Sequence, residues 1–338
     1  MLATPTADPG SLPATRGAAP DAPDPVWSYE VKWDGMRLLA DVGAGGLRLS
    51  SRTERDVGGA FPDLAGLPAA AAAVGGDLLL DGEVVALDPA GRPSFGVLAP
   101  RLGLSGGAAR RAARAVPLVY VVFDVLRAGG QDLVPEPLRV RREVLEGLGA
   151  QWLADPPVVG GAALQVSPGF GSGADVLAAT RAQGLEGGVA KRWDSPYRPG
   201  VRSRTWVKAT HRTRRTVVVG GWRPQEGTTT RVGALLVGAP DADGCLRYLG
   251  RVGSGVGPRA AAQLAPVLAP LHRSTSPFGT DVPREDARGA TWVEPHLRAE
   301  VESLGSTSGG RLRQPSFLGL RADAEPEVVD PADLPGAP

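Results

Sequence analysis

The sequence predicts an α+β chain in two domains, and three observations carry that prediction. Its 338 residues leave room for two domains of roughly 100–200 residues each. Up to the stretch around Lys208, strand-type runs alternate with two helical stretches. Beyond Lys208 the texture changes to short β-type runs separated by Gly, Pro and Asp, with one helical stretch. That is the pattern of a small Greek-key barrel of the OB type.

Taken in order, residues 1–25 are rich in Pro, Ala, Asp and Gly and are read as a mobile lead-in. Strand signals follow at Tyr29–Lys32, Arg37–Val42, Leu47–Ser50, Leu78–Leu80 and Glu83–Leu87. Leu118–Leu126 is a nearly continuous β-branched and aromatic run, as in a buried strand. Residues 136–148 have the apolar spacing and charge of an amphipathic helix, and 173–183 read as a second helix. The boundary falls in 209–215. Past it, Thr216–Gly220, Ala234–Gly238, Leu246–Val252, Thr291–Glu294 and Arg298–Leu304 read as strands and Arg259–Leu271 as the helix. The division expected is a lead-in over 1–25, a first domain over 26–210, a second over 211–325 and a disordered tail over 326–338.

Composition excludes several classes. No apolar run approaches the roughly 20 residues of a membrane span, and the first residues lack the basic and apolar regions of a signal peptide. A cytoplasmic, nucleoid-associated bacterial protein is expected. Cys245 is the only cysteine and the histidines are three, dispersed at 211, 272 and 296, which rules out an intramolecular disulfide and argues against structural zinc. Net charge is +1, so any nucleic-acid contact must use local clusters. Arg110-Arg111…Arg114, Arg139…Arg141-Arg142 and His211-Arg212…Arg214-Arg215 are such clusters, with solvated faces as the plainer alternative.

The chain has only three lysines, Lys32, Lys191 and Lys208, among 37 basic residues of the Lys and Arg types. Arginine supplies charge equally well but cannot become a nucleophilic amine, its pKa being above about 12. The surviving lysines therefore mark positions where an amine is needed. Each sits in a short motif: Glu30-Val-Lys32-Trp-Asp34-Gly35-Met-Arg37, Glu186-Gly187-Gly-Val-Ala-Lys191-Arg192 and Trp206-Val-Lys208. Covalent nucleotidyl transfer needs an amine that attacks an α-phosphorus, with groups nearby that tune it and hold the sugar. Lys32, at a strand end before a glycine turn and an arginine, suits that task. Lys208 and Arg202 are cations suited to an α-phosphate, and Glu83 and Glu186 are hard oxygen donors suited to Mg²⁺ or Mn²⁺.

With these motifs in this order, residues 27–325 resemble the covalent nucleotidyltransferase superfamily of ATP-dependent DNA ligases, RNA ligases and capping enzymes. The resemblance is nearest to bacterial ATP-dependent DNA ligases of the multifunctional end-joining kind. It implies a first domain of antiparallel sheets flanked by helices around an ATP site, followed by an OB barrel that closes on that site or on DNA. It makes Lys32 the nucleophile, Glu30 the residue at the adenine edge and Arg37 the ribose-contacting arginine. Ser51-Arg52-Thr-Glu-Arg55-Asp56 becomes the second motif, with Arg52 contacting the nucleotide. Leu80-Asp81-Gly82-Glu83 becomes the third, with Glu83 near ribose and metal. Phe123, in Tyr120-Val-Val-Phe123-Asp124, stacks on adenine. Glu186 works with the metal, and Arg202 and Lys208 meet the nucleotide phosphates. Gly220-Gly-Trp222-Arg223 and Gly250-Arg251-Val-Gly253 resemble the OB domain.

Two positions depart from the pattern. Thr210 stands where the resemblance implies a second lysine, and Arg321-Ala-Asp323-Ala324 ends without the lysine of the sixth motif. The reading is an ATP-dependent DNA ligase that uses ATP and Mg²⁺ or Mn²⁺ and works as a monomer. It holds nicked or broken duplex DNA mainly through the backbone, and its end-joining partners are separate proteins. The alternatives are an RNA ligase or capping-type enzyme, or a degenerate DNA-binding relative with impaired self-adenylylation.

Overall fold

A computed structural model describes residues 1–6, 8, 10–14, 26–72, 74–156, 160–307, 309–321 and 326. The chain divides into two compact units, Met1–His211 and Arg212–Pro338. The first unit runs β1 (Leu2–Pro5), β2 (Trp27–Val31), β3 (Met36–Gly43), β4 (Gly46–Ser51), α1 (Leu67–Ala72), β5 (Leu78–Ala86), α2 (Phe95–Leu98), α3 (Gly106–Ala115) and β6 (Leu118–Ala128). It continues with β7 (Gln131–Asp132), α4 (Leu138–Ala154), β8 (Ala163–Val166), α5 (Gly173–Ala182), β9 (Gly187–Arg192) and β10 (Arg202–Thr210). One sheet has the antiparallel order β4-β3-β5-β6-β7, with β8 added parallel to β6. The other has the order β1-β10-β9-β2, antiparallel except that β1 lies parallel to β10.

Alternation along the strands sorts side chains between two faces of the larger sheet. Leu38, Ala40 and Val42 of β3 enter the main core with Leu78, Leu80, Tyr120, Leu145 and Trp152. Leu39 and Leu79, on the opposite face, pack with Leu126, Tyr197 and Trp206. Arg37, Asp81 and Glu83 share that second face by the same alternation. Burial on both faces explains why Leu118–Leu126 reads as an unbroken apolar run.

Several expectations are corrected. The lead-in is not mobile throughout: Leu2 N–H donates to the Val201 carbonyl at 2.8 Å and Thr6 N–H to the Lys208 carbonyl at 2.9 Å. Met1 is buried at 3% exposure, and the Tyr29 hydroxyl donates to the Pro13 carbonyl at 2.6 Å. Residues 15–25 lie outside the described residues, as do Asp323, Ala324 and 327–338. β5 runs unbroken through Asp81-Gly82, where the sequence suggests two pieces. Pairing with β3 and β6 on both sides overrides the local turn propensity, and the ladder to β6 shifts register there instead. The helix expected over 136–148 spans Leu138–Ala154.

The second unit contains β11 (Thr213–Pro224), β12 (Val232–Pro240), β13 (Leu246–Val252), α6 (Pro258–Leu268), β14 (His272–Arg273), α7 (Arg284–Ala287), β15 (Thr291–Val293), β16 (Arg298–Ser303) and β17 (Ser316–Arg321). Pairing runs from β13 through β12 and β11 to β16 and β17. Phe317 N–H then reaches the Ser254 carbonyl at 2.8 Å, and Leu312 N–H the Leu249 carbonyl at 2.8 Å, turning the last strand back toward β13. The interior of this OB-type barrel holds Val219, Leu235, Val237 and Val301, with Leu264 and Leu268 supplied by α6. No described helix is long and apolar enough to cross a membrane.

Deleting Met1–Thr6 tests the corrected first strand. Burial of one such apolar side chain contributes about 2 kcal/mol, so the first unit should lose about 4–8 °C in Tm. An unchanged thermal transition would show that β1 adds nothing.

Candidate active site

The functional side chains arise where strands end at the cleft between the two sheets of the first unit. Lys32 follows β2 directly, and its N–H donates to the Gly187 carbonyl at 2.9 Å. Two glycines allow this arrangement. A Cβ at Gly35 would stand 2.2 Å from the Val84 carbonyl, so only glycine lets the turn after Lys32 lie against β5. Gly187 has φ +141°, and a Cβ there would stand 2.2 Å from the Ala209 carbonyl. Glu186 is thereby held at the edge of β9 with Oε2 2.6 Å from Lys32 Nζ. Asp34 caps the neighbouring turn, accepting the Phe95 N–H at 3.1 Å.

The cleft has a volume of about 540 Å³, within the range of small-molecule sites. Glu30, Lys32, Arg37, Arg52, Glu83, Phe123, Arg202 and Lys208 all line it. Glu186 joins them through its ion pair with Lys32. Lys191 lines it as well, so all three lysines of the chain meet in one cleft. Arg202, Trp206 and Lys208 are evenly spaced on β10 and so share a face. This corrects the strand-turn expected for that segment.

The cleft has opposed electrostatic ends. Burial pushes the Lys208 ammonium below the ordinary lysine value, and the nearby cations Lys32 and Arg202 push it further. Burial pushes the Glu83 carboxyl up to about 8, with repulsion from Glu186 and Asp81 adding and the cations Lys32 and Arg37 opposing. Among the described residues no group of three His, Cys, Asp or Glu side chains is arranged to hold a metal. Glu83 and Glu186 nevertheless fit a hard divalent cation. They bring two mutually repelling oxygen donors into a desolvated site, and water or phosphate can complete the coordination.

Arg37 is committed to the protein. Its Nε and one terminal nitrogen donate to Asp81 at 2.8 and 2.5 Å, and its other terminal nitrogen donates to the Met1 carbonyl at 2.6 Å. Tyr197 adds a hydroxyl donated to Asp81 at 2.8 Å. Arg202 donates to the Ala3 carbonyl at 2.6 Å. Sequence reasoning missed Asp81, Tyr197, Leu2 and Ala3 as parts of this site. Asp81 stood inside a recognised motif, while the others carried no local signal.

Phe123 meets Trp206 edge to face, with ring centroids 6.1 Å apart. Of the arginine clusters, Arg110, Arg111 and Arg114 are exposed on α3. Arg141 and Arg142 are instead buried, which corrects their reading as surface charge. Arg141 holds Asp124 at 2.8 and 2.9 Å, and Arg142 lies 3.8 Å from Glu30. Thr210 ends β10 opposite Gly187.

A family profile described as the ATP dependent DNA ligase domain matches residues 14–209, and the ATP dependent DNA ligase C terminal region matches residues 228–324. The chain belongs to the ATP-dependent DNA ligase family. It is 39% identical over 317 residues to the multifunctional non-homologous end joining protein LigD of Mycolicibacterium smegmatis, covering 94% of this chain and 39% of that protein. DNA ligase C1 of the same organism is 32% identical over 325 residues, covering 92% of this chain and 89% of that one. The crystal structure of the ligase domain of LigD from M. tuberculosis is similar at 39% identity with a TM-score of 0.50, covering 97% of this chain and 96% of that one.

Within this ligase fold, the Arg37–Asp81 pair is testable apart from catalysis. Asp81 is 0% exposed. Asp81→Ala leaves Arg37 uncompensated and should lower stability by about 3–5 kcal/mol, whereas Asp81→Leu with Arg37→Met should recover much of the loss. Urea unfolding of the single and double variants measures both. Equal losses would show that the pair does not act as a unit.

Proposed function

We propose that the chain seals breaks in duplex DNA through a covalent lysyl-AMP, using ATP as adenylyl donor. The observation that carries this reading is the juxtaposition of Lys32 and Glu186 at 2.6 Å in a cleft lined by Lys208, Arg202 and Arg52 together with Glu30 and Phe123. An amine nucleophile, phosphate-binding cations and a base-binding wall are the three parts that nucleotidyl transfer needs.

In the first step the free amine of Lys32 forms a P–N bond to the α-phosphorus of ATP. The bond to the β-phosphate oxygen breaks and pyrophosphate leaves, while the ammonium proton passes to Glu186 or to solvent. Lys208 and Arg202 offset the charge that grows on the α-phosphate oxygens, and because both are held on β10 they need not rearrange to do so. Glu30 and Phe123 hold the adenine and Arg37 braces the ribose end. In the second step a 5′-phosphate oxygen at the break attacks the same phosphorus and breaks the P–N bond. In the third, the 3′-hydroxyl attacks the activated 5′-phosphate and AMP leaves. Glu83 and Glu186 would hold Mg²⁺ or Mn²⁺, which when bound supplies positive charge to the transferring phosphate.

DNA is held through its backbone by arginines, among which the exposed Arg110, Arg111 and Arg114 of α3 are suited to phosphates. Binding should therefore weaken steeply with salt and depend little on sequence. The likeness to LigD supports end joining as the setting and end-joining proteins as partners.

Incubation with α-labelled ATP and Mg²⁺, after stripping carried-over AMP with pyrophosphate, should give an acid-labile covalent label on the wild type and none on Lys32→Ala. Competition among nicked DNA, nicked RNA and GTP should favour nicked DNA and ATP. Sealing that persists in Lys32→Ala would overturn the mechanism. Preferential sealing of RNA would make the chain an RNA ligase, and DNA binding without covalent label would make it a degenerate relative.

A further inference from the structure

Lys191 has no task in the three steps above, yet it is the most deeply buried lysine of the cleft, at 2% exposure. Its position on β9 is specific. Trp206 lies directly opposite it on β10, and Glu30 is paired with Val189, two residues away on the same face of β9. Lys191 Nζ stands 2.7 Å from Glu30 Oε1 and donates to the Phe123 carbonyl at 2.9 Å. It also sits 4.6 Å from the centroids of both the Phe123 and Trp206 rings. One ammonium thus touches Glu30 and Phe123, the two residues assigned to the base, from behind.

We infer that Lys191 is a positioning residue that sets the enzyme's choice of adenine, an inference that rests on the nucleotidyl-transfer reading of this cleft. Glu30 is 2% exposed, and a buried carboxylate requires a counter-charge. Lys191 supplies it, with Arg142 farther away at 3.8 Å. The other charge that acts on Lys191 is Asp124, itself engaged by Arg141. An ionised carboxylate is an acceptor only. It therefore selects a purine that presents an amine at its six position and rejects one that presents a carbonyl there. The bond to the Phe123 carbonyl fixes the ring against which the base lies. Lys191 acts through Glu30 and Phe123 and touches neither phosphate nor metal.

The test measures covalent labelling from ATP and from inosine triphosphate, which carries a carbonyl where adenine carries its amine. A charge-assisted hydrogen bond is worth about 1.5–3 kcal/mol, so the wild-type preference for ATP should fall by about 10- to 100-fold in Lys191→Met. The loss should appear mainly as a raised KM for ATP. Lys191→Arg, which keeps the charge, should restore part of the preference. Because Lys191→Met leaves Glu30 unpaired in the interior and can unfold the unit, Lys191→Met with Glu30→Gln removes both charges together and is the second variant. It too should lose the preference. A folded single or double variant that keeps the wild-type ATP to inosine triphosphate ratio within twofold overturns the inference. A wild type that takes no label from either nucleotide overturns the nucleotidyl-transfer reading itself, an outcome separate from unchanged discrimination in the variants.

Discussion

The two sheets of the first unit meet across a face that carries charge, and the buried pair of Arg37 with Asp81 makes that face tolerable. Arg37 comes from β3 and Asp81 from β5 of one sheet, and the same guanidinium bonds the Met1 carbonyl beside β1 of the other. An isolated charge in this position would cost several kcal/mol. A fork of five donors matched to a carboxylate and a main-chain carbonyl removes most of that penalty and fixes the sheet separation. The cleft is a consequence. Sheets that met through apolar side chains alone would close on each other, as the opposite face of the larger sheet does against its helices.

Once that spacing is set, the remaining charges sort themselves by partner. Lys32 faces Glu186, Lys191 faces Glu30, and Glu83 is left in a desolvated place beside a second carboxylate. The cations of β10 are likewise crowded by one another. Both ends hold charge that the protein alone does not neutralise. A triphosphate with a divalent cation is complementary to both at once, negative toward Lys208 and Arg202 and positive toward Glu83 and Glu186. Electrostatic frustration of this kind costs stability in the empty protein and is relieved when the ligand binds.

Much of this site was legible in the sequence because its residues must be of one chemical type. A nucleophilic amine at Lys32, a glycine at Gly187 under a neighbouring strand and a carboxylate at Glu83 admit few substitutes, so short motifs identified them. The supporting parts were hidden because long-range pairing specifies them. β1 joins β10 with Leu2 opposite Arg202, and nothing in its Ala-Thr-Pro composition announces a partner so far along the chain. Tyr197 contributes one hydroxyl from a loop. Arg141 and Arg142 read as surface charge because their acids, Asp124 and Glu30, lie on distant strands. β5 shows the same limit in the opposite sense, since pairing on both sides carried it through an Asp-Gly that locally favours a turn.

The scarcity of lysine acquires a structural meaning from the cleft. Where a planar fork suffices, as at Arg37, Arg101, Arg141 and Arg142, the chain uses arginine and engages a carboxylate. The three positions that retain lysine share one cleft. Lys32 is retained for its nucleophilic amine, and Lys208 supplies a compact charge to phosphate. At Lys191 the reason is shape. The ammonium sits 4.6 Å from two ring centroids while reaching a carboxylate at 2.7 Å and a carbonyl at 2.9 Å. A compact cation with three rotatable donors meets those demands, whereas a rigid guanidinium would displace one of the rings. A composition that favours arginine elsewhere therefore stops at the positions where geometry or reactivity, and not charge alone, is required.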